Sequence, residues 1–160
     1  MDFRKTSDRL QKNEHHGEHV IRLAQQLADG NHPGVLATVG QEGNPHLRWM
    51  GTLSFQEFPH LYALTSPLSR KVGHIRVHPQ VSWMFATDTS SMVINLSGKA
   101  SILTDQGAIN RIWRLIENKS NAYFLSLNMN ADGVAVIDTV VEDIECIVPH
   151  YDLRYTHASK

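Results

Sequence analysis

Apolar residues recur at helical spacing in three stretches of this chain, and nearly everywhere else they alternate. From about His16 to Ala28, Val20, Leu23, Ala24 and Leu27 fall at i, i+3, i+4 and i+7, the spacing of a helix with one buried stripe, and Gly30 ends it. From Gly34 the period drops to two. Val35 to Val39 predicts a strand, Gly40-Gln41-Glu42-Gly43 a hairpin turn, and Asn44 to about Phe55 a second strand. On that second strand Leu47, Trp49, Leu53 and Phe55 share one face, and His46, Arg48, Met50, Thr52 and Ser54 share the other.

A third strand, Leu61 to Thr65, follows at hairpin distance, and Ser66-Pro67-Leu68-Ser69 then breaks the pattern ahead of a short helix from about Arg70 to Val77. Val72 and Ile75 are its expected buried side, and His78-Pro79 stops it, because a residue before proline is driven out of the α region. Strands follow at Val81 to Ala86 and at about Met92 to Leu103. After Thr104-Asp105, either a possible N-cap, Ile109, Ile112, Trp113 and Ile116 predict a second amphipathic helix to about Glu117. Residues 118–132 read as part helix and part loop. Two last strands fit Gly133 to Thr139 and Glu142 to Val148, with a short C-terminal tail beyond.

Six or seven strands in hairpin-like succession do not fit a parallel βαβ sheet, which needs a helix after each strand. The expectation is a mainly β fold, a small antiparallel barrel over about 34–148 with peripheral helices. At 160 residues, 41% of them hydrophobic, the chain holds one domain spanning 1–160.

Fifteen Lys and Arg against sixteen Asp and Glu give a formal net charge of -1, so no global basic field draws nucleic acid and any anion site must be local. The single cysteine, Cys146, excludes an internal disulfide and a cysteine-based zinc cluster; it alternates with Ile144 and Val148 and reads as packing. No apolar run reaches the length of a signal peptide or membrane span, so a cytoplasmic protein without membrane contact is expected.

The segment Thr65-Ser66-Pro67-Leu68-Ser69-Arg70-Lys71 carries the most chemistry. Ser69 is a natural N-cap, which puts Arg70 and Lys71 in the first helical turn, where the helix dipole is already positive. Two readings stand: both side chains reach into water, or free N–H groups, the hydroxyls of Thr65, Ser66 and Ser69, and the two cations converge on an anion such as a phosphate. Arg48 is an isolated charge on the second strand's mixed face, suited either to solvent or to the polar end of a ligand.

Taken in order, Gly34-Val35-Leu36-Ala37-Thr38-Val39, Pro45-His46-Leu47-Arg48, Thr65 to Lys71, His78-Pro79-Gln80-Val81 and Gly98-Lys99-Ala100 resemble the FMN-binding split barrels related to pyridoxamine 5'-phosphate oxidase, the general stress protein branch above all. The likeness covers about Gly34 to Trp113. It implies an antiparallel split barrel binding FMN, whose phosphate is held by Arg48, Ser69, Arg70 and Lys71, with Thr65 and Ser66 beside them. It implies that Trp49, Met50, Gly51 and Thr52, together with Leu64 and Thr65, line the ring and ribityl chain. The homodimer it implies has the flavin at the interface and Val93 and Asn95 reaching it from the second subunit. Met50, Thr52, Val93 and Asn95 also have the mixed character that suits an interface.

The oxidase's lysine after the strand-two arginine is replaced by Gly51-Thr52-Leu53-Ser54, and its C-terminal Trp, Arg-Leu and Pro signature is missing from Pro149 to Lys160, so pyridoxamine phosphate is not the expected substrate. What remains is an FMN-dependent oxidoreductase acting on an unidentified small molecule, with reduced nicotinamide as a candidate donor. The alternatives are a non-enzymatic flavin-binding stress protein, or a split barrel holding haem or deazaflavin. No side chain reads as a catalytic acid or base. His15 and His19 stand at i, i+4 without a third ligand at a supporting spacing, so no metal site is assigned. Trp49, Trp83 and Trp113 fall at core-facing periods, and Trp49 is also placed to approach a flavin.

Overall fold

The computed structural model describes residues 14–116, 133–151 and 153–158. Along the chain come α1 (Glu14–Leu27), β1 (Gly34–Val39), β2 (Pro45–Met50), β3 (Leu53–Glu57), β4 (His60–Thr65), α2 (Arg70–Val77), β5 (Gln80–Ala86), β6 (Val93–Leu103), α3 (Gln106–Leu115), β7 (Ala135–Val148) and, after a 3-10 turn at Pro149–Tyr151, β8 (Leu153–Ala158). The first hairpin forms as its glycines require. Gly43 adopts φ 87° and donates its N–H to Gly40 O at 2.9 Å, Gly40 N–H bonds Asn44 O at 2.8 Å, and β1 and β2 pair from Val39↔Pro45 to Gly34↔Met50.

All strand pairs are antiparallel, in the order β2-β1-β5-β6-β7-β4-β3, with β8 added to β7. Strands β2 and β3 therefore lie at opposite ends of the sheet, yet only Gly51 and Thr52 separate them in sequence, a span of about 10 Å. The sheet must curl until its edges meet there without pairing, the geometry of a split barrel. Met50, Leu53 and Phe55 from the two edges join Leu36, Trp83 and Ile144 in one core.

Three expectations change. The long second strand is broken at Gly51-Thr52, and the break shifts the phase: His46, Arg48 and Met50 face inward on β2, whereas Leu53 and Phe55 do so on β3. The two last strands are a single β7, kept continuous by a bulge. Ser97 pairs with Asp143 and Gly98 with Val141, leaving Glu142 extra, and a Cβ on Gly98 would strike the Val140 carbonyl. The C-terminal tail is strand β8, paired from Val148↔Leu153 to Asp143↔Ala158, which brings the strand number to eight.

Helix α1 closes the main core with Val20, Ala24 and Leu27, while α3 lays Ile109 and Ile112 on Tyr62, Leu64 and Val136 to form a second, smaller one. Asp105 caps α3, accepting from Ala108 N at 2.8 Å. The Glu117 boundary and residues 118–132 lie outside the described residues. Trp83 is a core residue, its Nε1–H bonded to Thr139 Oγ1 at 3.1 Å, and buried Cys146 has a thiol whose pKa burial pushes up. Trp113 is half-buried against the smaller core. Trp49 is not core at all: it is 72% exposed.

Candidate functional site

The turn Ser66 to Ser69 carries the chain from the buried end of β4 into α2, with Ser69 N–H bonded to Ser66 O at 3.1 Å and Leu68 N–H to Ser66 Oγ at 3.3 Å. Ser69 takes the N-cap position in extended backbone, but its hydroxyl makes no capping bond. It turns instead to Thr65 Oγ1 at 3.1 Å, which also accepts from Lys71 Nζ at 3.1 Å. The helix thus begins with no side-chain cap and no acidic residue, and with Arg70 and Lys71 in its place of greatest positive potential.

Arg48 joins them from the inward face of β2. Its Nη1 donates to Thr38 Oγ1 at 2.6 Å and to Leu36 O at 3.3 Å, both on β1. Burial, then Arg70, lowers the pKa of Arg48; burial, then Arg48, lowers that of Lys71. Arg70 is exposed, and among the described residues it has no hydrogen bond or ion pair. Two half-buried cations and a third nearby, with no carboxylate paired to any of them among the described residues, are unfavourable without an anion. Of the expected site residues, Thr65, Ser69 and Lys71 are hydrogen-bonded together, and Arg48 lies near enough to Arg70 and Lys71 for their charges to be felt. Ser66 shapes the turn beside them.

Other expected lining residues are placed differently. Met50 is 7% exposed and packs in the main core; Thr52 is buried, its carbonyl accepting Leu64 N–H at 2.9 Å, and the Leu64 side chain lies in the core under α3. Neither Met50 nor Thr52 is therefore surface available to an interface, because the phase shift at Gly51 turns them inward. The outward face belongs to a different row. Trp49 pairs with Val35, Val35 with Met84, Met84 with Asn95, and Asn95 with Glu145, so Trp49 and Asn95 share one outer face across four strands. Val93, two residues before Asn95, faces the same way. Within one chain Val93 and Asn95 are on the opposite side of the sheet from the Arg48 side chain. Leu47, 72% exposed, and Met84, 42% exposed, make this face apolar beside Trp49.

Thr38 and His74 join this region without being expected from the sequence. His74 lies four residues after Arg70 on α2, its Nδ1 2.9 Å from the buried Thr38 Oγ1, and its ring centroid is 4.7 Å from that of His46. Its pKa is below the ordinary 6.5 because of burial, then His46, Arg48 and Arg70. The signal was present: His46 precedes Arg48 on one strand face, and Arg70 and His74 share one helix face at i, i+4.

Among the described residues no group of three or more His, Cys, Asp or Glu is placed to hold a metal ion, and the His15 side chain lies outside them. No described helix is long and apolar enough to cross a membrane.

Residues 22–146 match the model of the family described as Pyridoxamine 5'-phosphate oxidase. A comparison with curated proteins gives no match. Among solved structures, a Clostridium acetobutylicum protein related to general stress protein 26 of B. subtilis is similar at 16% identity and TM-score 0.71, covering 88% of this chain and 95% of its own. General stress protein 26 from Bacillus anthracis is similar at 24% identity and TM-score 0.65, with 86% and 98% covered. A heme binding protein from Mycobacterium smegmatis is similar at 14% identity and TM-score 0.68, with 87% and 57% covered. At these identities the likeness establishes the fold.

Proposed function

The chain belongs to the pyridoxamine 5'-phosphate oxidase family, and from that premise we propose that it binds FMN through the phosphate and serves as an FMN-dependent oxidoreductase for a small molecule. The observation that supports this reading is the cluster of Arg48, Arg70 and Lys71 from β2 and α2, none of which makes an ion pair with a carboxylate among the described residues. A phosphate monoester supplies the missing negative charge and accepts from both guanidinium groups and the ammonium. The hydroxyls of Thr65 and Ser69 and the uncapped N–H groups of α2 complete the cradle. When bound, the flavin supplies the electron or hydride transfer; the residues of this chain hold and orient it.

The working unit in this reading is a homodimer. Leu47, Trp49 and Met84 expose an apolar strip on the outer sheet face, too large and too aromatic to favour water, and a second copy is its proposed occupant. Asn95 at the end of that strip would then be offered to the partner's flavin rather than to its own.

Mixing the purified protein with FMN tests the reading. One FMN per chain, with quenched flavin fluorescence, is expected; failure to take up FMN, with a Soret band on the isolated protein, would replace flavin by haem. Reduction of the bound flavin by a nicotinamide donor and reoxidation by an acceptor would separate an oxidoreductase from a flavin-storing protein.

A further inference from the structure

Thr38 is a buried threonine with a single hydroxyl and two demanding neighbours. Arg48 Nη1 donates to its oxygen at 2.6 Å, so the hydroxyl proton is free to go to His74 Nδ1 at 2.9 Å. That assignment makes His74 an acceptor at Nδ1 and a neutral imidazole. The groups facing the imidazole come from three elements: Thr38 from β1, His46 and Arg48 from β2, and Arg70 one turn earlier on α2. Glu42, in the β1–β2 turn, lines the same cleft as His46, Arg70 and His74.

We propose that Thr38 and His74 are positioning residues for Arg48, the imidazole fixing the hydroxyl that holds the guanidinium at the cation cluster and taking up a proton when an anion arrives there. This rests on the phosphate reading above and adds a proton to it. Without an anion beside the cluster, burial and then His46, Arg48 and Arg70 favour the neutral form of His74. An anion beside Arg48 and Arg70 cancels their repulsion and raises the pKa of His74. On protonation Nδ1 becomes a donor, and the second lone pair of Thr38 Oγ1 accepts it while the hydroxyl turns away; Arg48 keeps its bond throughout. Between the free and bound pKa values, binding takes up a proton, so affinity rises as pH falls through that window. The gain is about tenfold for each unit separating the two values.

The test measures FMN affinity by fluorescence quenching between pH 6 and 8.5 for the native protein, Arg48→Ala, Thr38→Val, Thr38→Ser and His74→Gln. The phosphate ester itself loses charge near pH 6, so the informative quantity is the ratio of native to His74→Gln affinity, in which that effect cancels. The ratio should grow as pH falls from 8 to 6. Thr38→Val should weaken binding about tenfold and Thr38→Ser should restore most of it. The imidazole resonances of His74 should titrate at higher pH with FMN or inorganic phosphate than without. A constant ratio, or a His74 that titrates at the same pH in both states, overturns the relay even if Thr38→Val fails to fold. If Arg48→Ala weakens binding while Thr38→Val and His74→Gln do not, the relay alone is wrong. If Arg48→Ala binds FMN like the native protein, the phosphate reading falls and the relay with it.

Discussion

The hydroxyl of Thr38 stands between Arg48 and His74, 2.6 Å from one and 2.9 Å from the other, and so ties two strands and a helix to one polar cluster. This contact also explains how an arginine on a strand can lie half-buried without a carboxylate partner among the described residues: its N–H groups are partly satisfied by the Thr38 hydroxyl and the Leu36 carbonyl, leaving its charge available.

Arg70 gives the cleanest separation of binding from stability. It makes no hydrogen bond or ion pair among the described residues and adds a cation to the positive end of α2. Arg70→Ala should leave the Tm of the apo protein unchanged or slightly raised. FMN affinity should fall roughly ten- to a hundredfold, since a charge-assisted contact to phosphate contributes about 1.5–3 kcal/mol. A fall in apo Tm with unchanged affinity would make Arg70 a structural residue.

Leu47 and Trp49, each 72% exposed, carry the dimer proposal. The double substitution Leu47→Lys, Trp49→Lys places two charges on the outer face without touching the core. Sedimentation should show a dimer for the native chain and a monomer for the variant, with similar monomer secondary structure. A native chain that sediments as a monomer at micromolar concentration with FMN bound would remove the two-subunit site.

Packing limits are sharpest at Gly34 and Gly98. A Cβ at Gly34 would run into the Phe85 ring, and one at Gly98 into the Val140 carbonyl. Phe85 can shift only by disturbing the core around Trp83, so Gly34→Ala should cost about 1–3 kcal/mol in chemical denaturation. Gly98→Ala meets backbone at the β7 bulge and should be worse. Native stability for Gly98→Ala would contradict the register described for β6 and β7, and native stability for Gly34→Ala would contradict the packing of Phe85 against β1.

Acid stability has a specific contributor in Glu57. Its carboxyl pKa is held below the ordinary 4.5 by the Arg111 guanidinium, which bonds both oxygens at 2.9 Å, and to a lesser degree by the Tyr62 hydroxyl. A depressed carboxylate adds stability above its unfolded value, and that stability is lost as pH falls through the folded one. Arg111→Ala should therefore destabilise at pH 7 and make little difference well below pH 4. The pair is exposed, so the effect at pH 7 should not exceed about 1 kcal/mol. A larger loss at low pH than at neutral pH would reverse the sign and contradict the pairing.

What could be read from the sequence followed from local chemistry. Helix α2 was legible from Ser69 to His78 because its start, buried residues and stop are all local, and the Gly40–Gly43 turn because glycine allows positive φ. The Gly51-Thr52 break is not legible, since only the closing of a curled sheet reverses the inward phase there; an unbroken strand would put Trp49 on the face of Leu53 and Phe55, and Met50 on the other. Likewise the alternation breaks between Thr139 and Glu142 and suggests two strands, where a bulge opposite Gly98 carries one strand through. Strand β8 needed no long-range information: Leu153-Arg154-Tyr155-Thr156 alternates as a strand should. Of the proposed site, the cations and hydroxyls from Thr65 to Lys71 are local in sequence and can be singled out there, while the Thr38–His74 contact depends on β1 and α2 meeting, which spacing alone does not reveal.

Whether Arg48, Arg70 and Lys71 hold one phosphate is decided by parallel titrations with FMN and riboflavin. The native protein should bind FMN much more tightly than riboflavin, and Arg48→Ala should erase most of that difference by weakening FMN roughly ten- to a hundredfold while leaving riboflavin affinity nearly unchanged. Equal affinity of the native protein for the two ligands, or an Arg48→Ala variant that still prefers FMN to the same degree, would contradict the account.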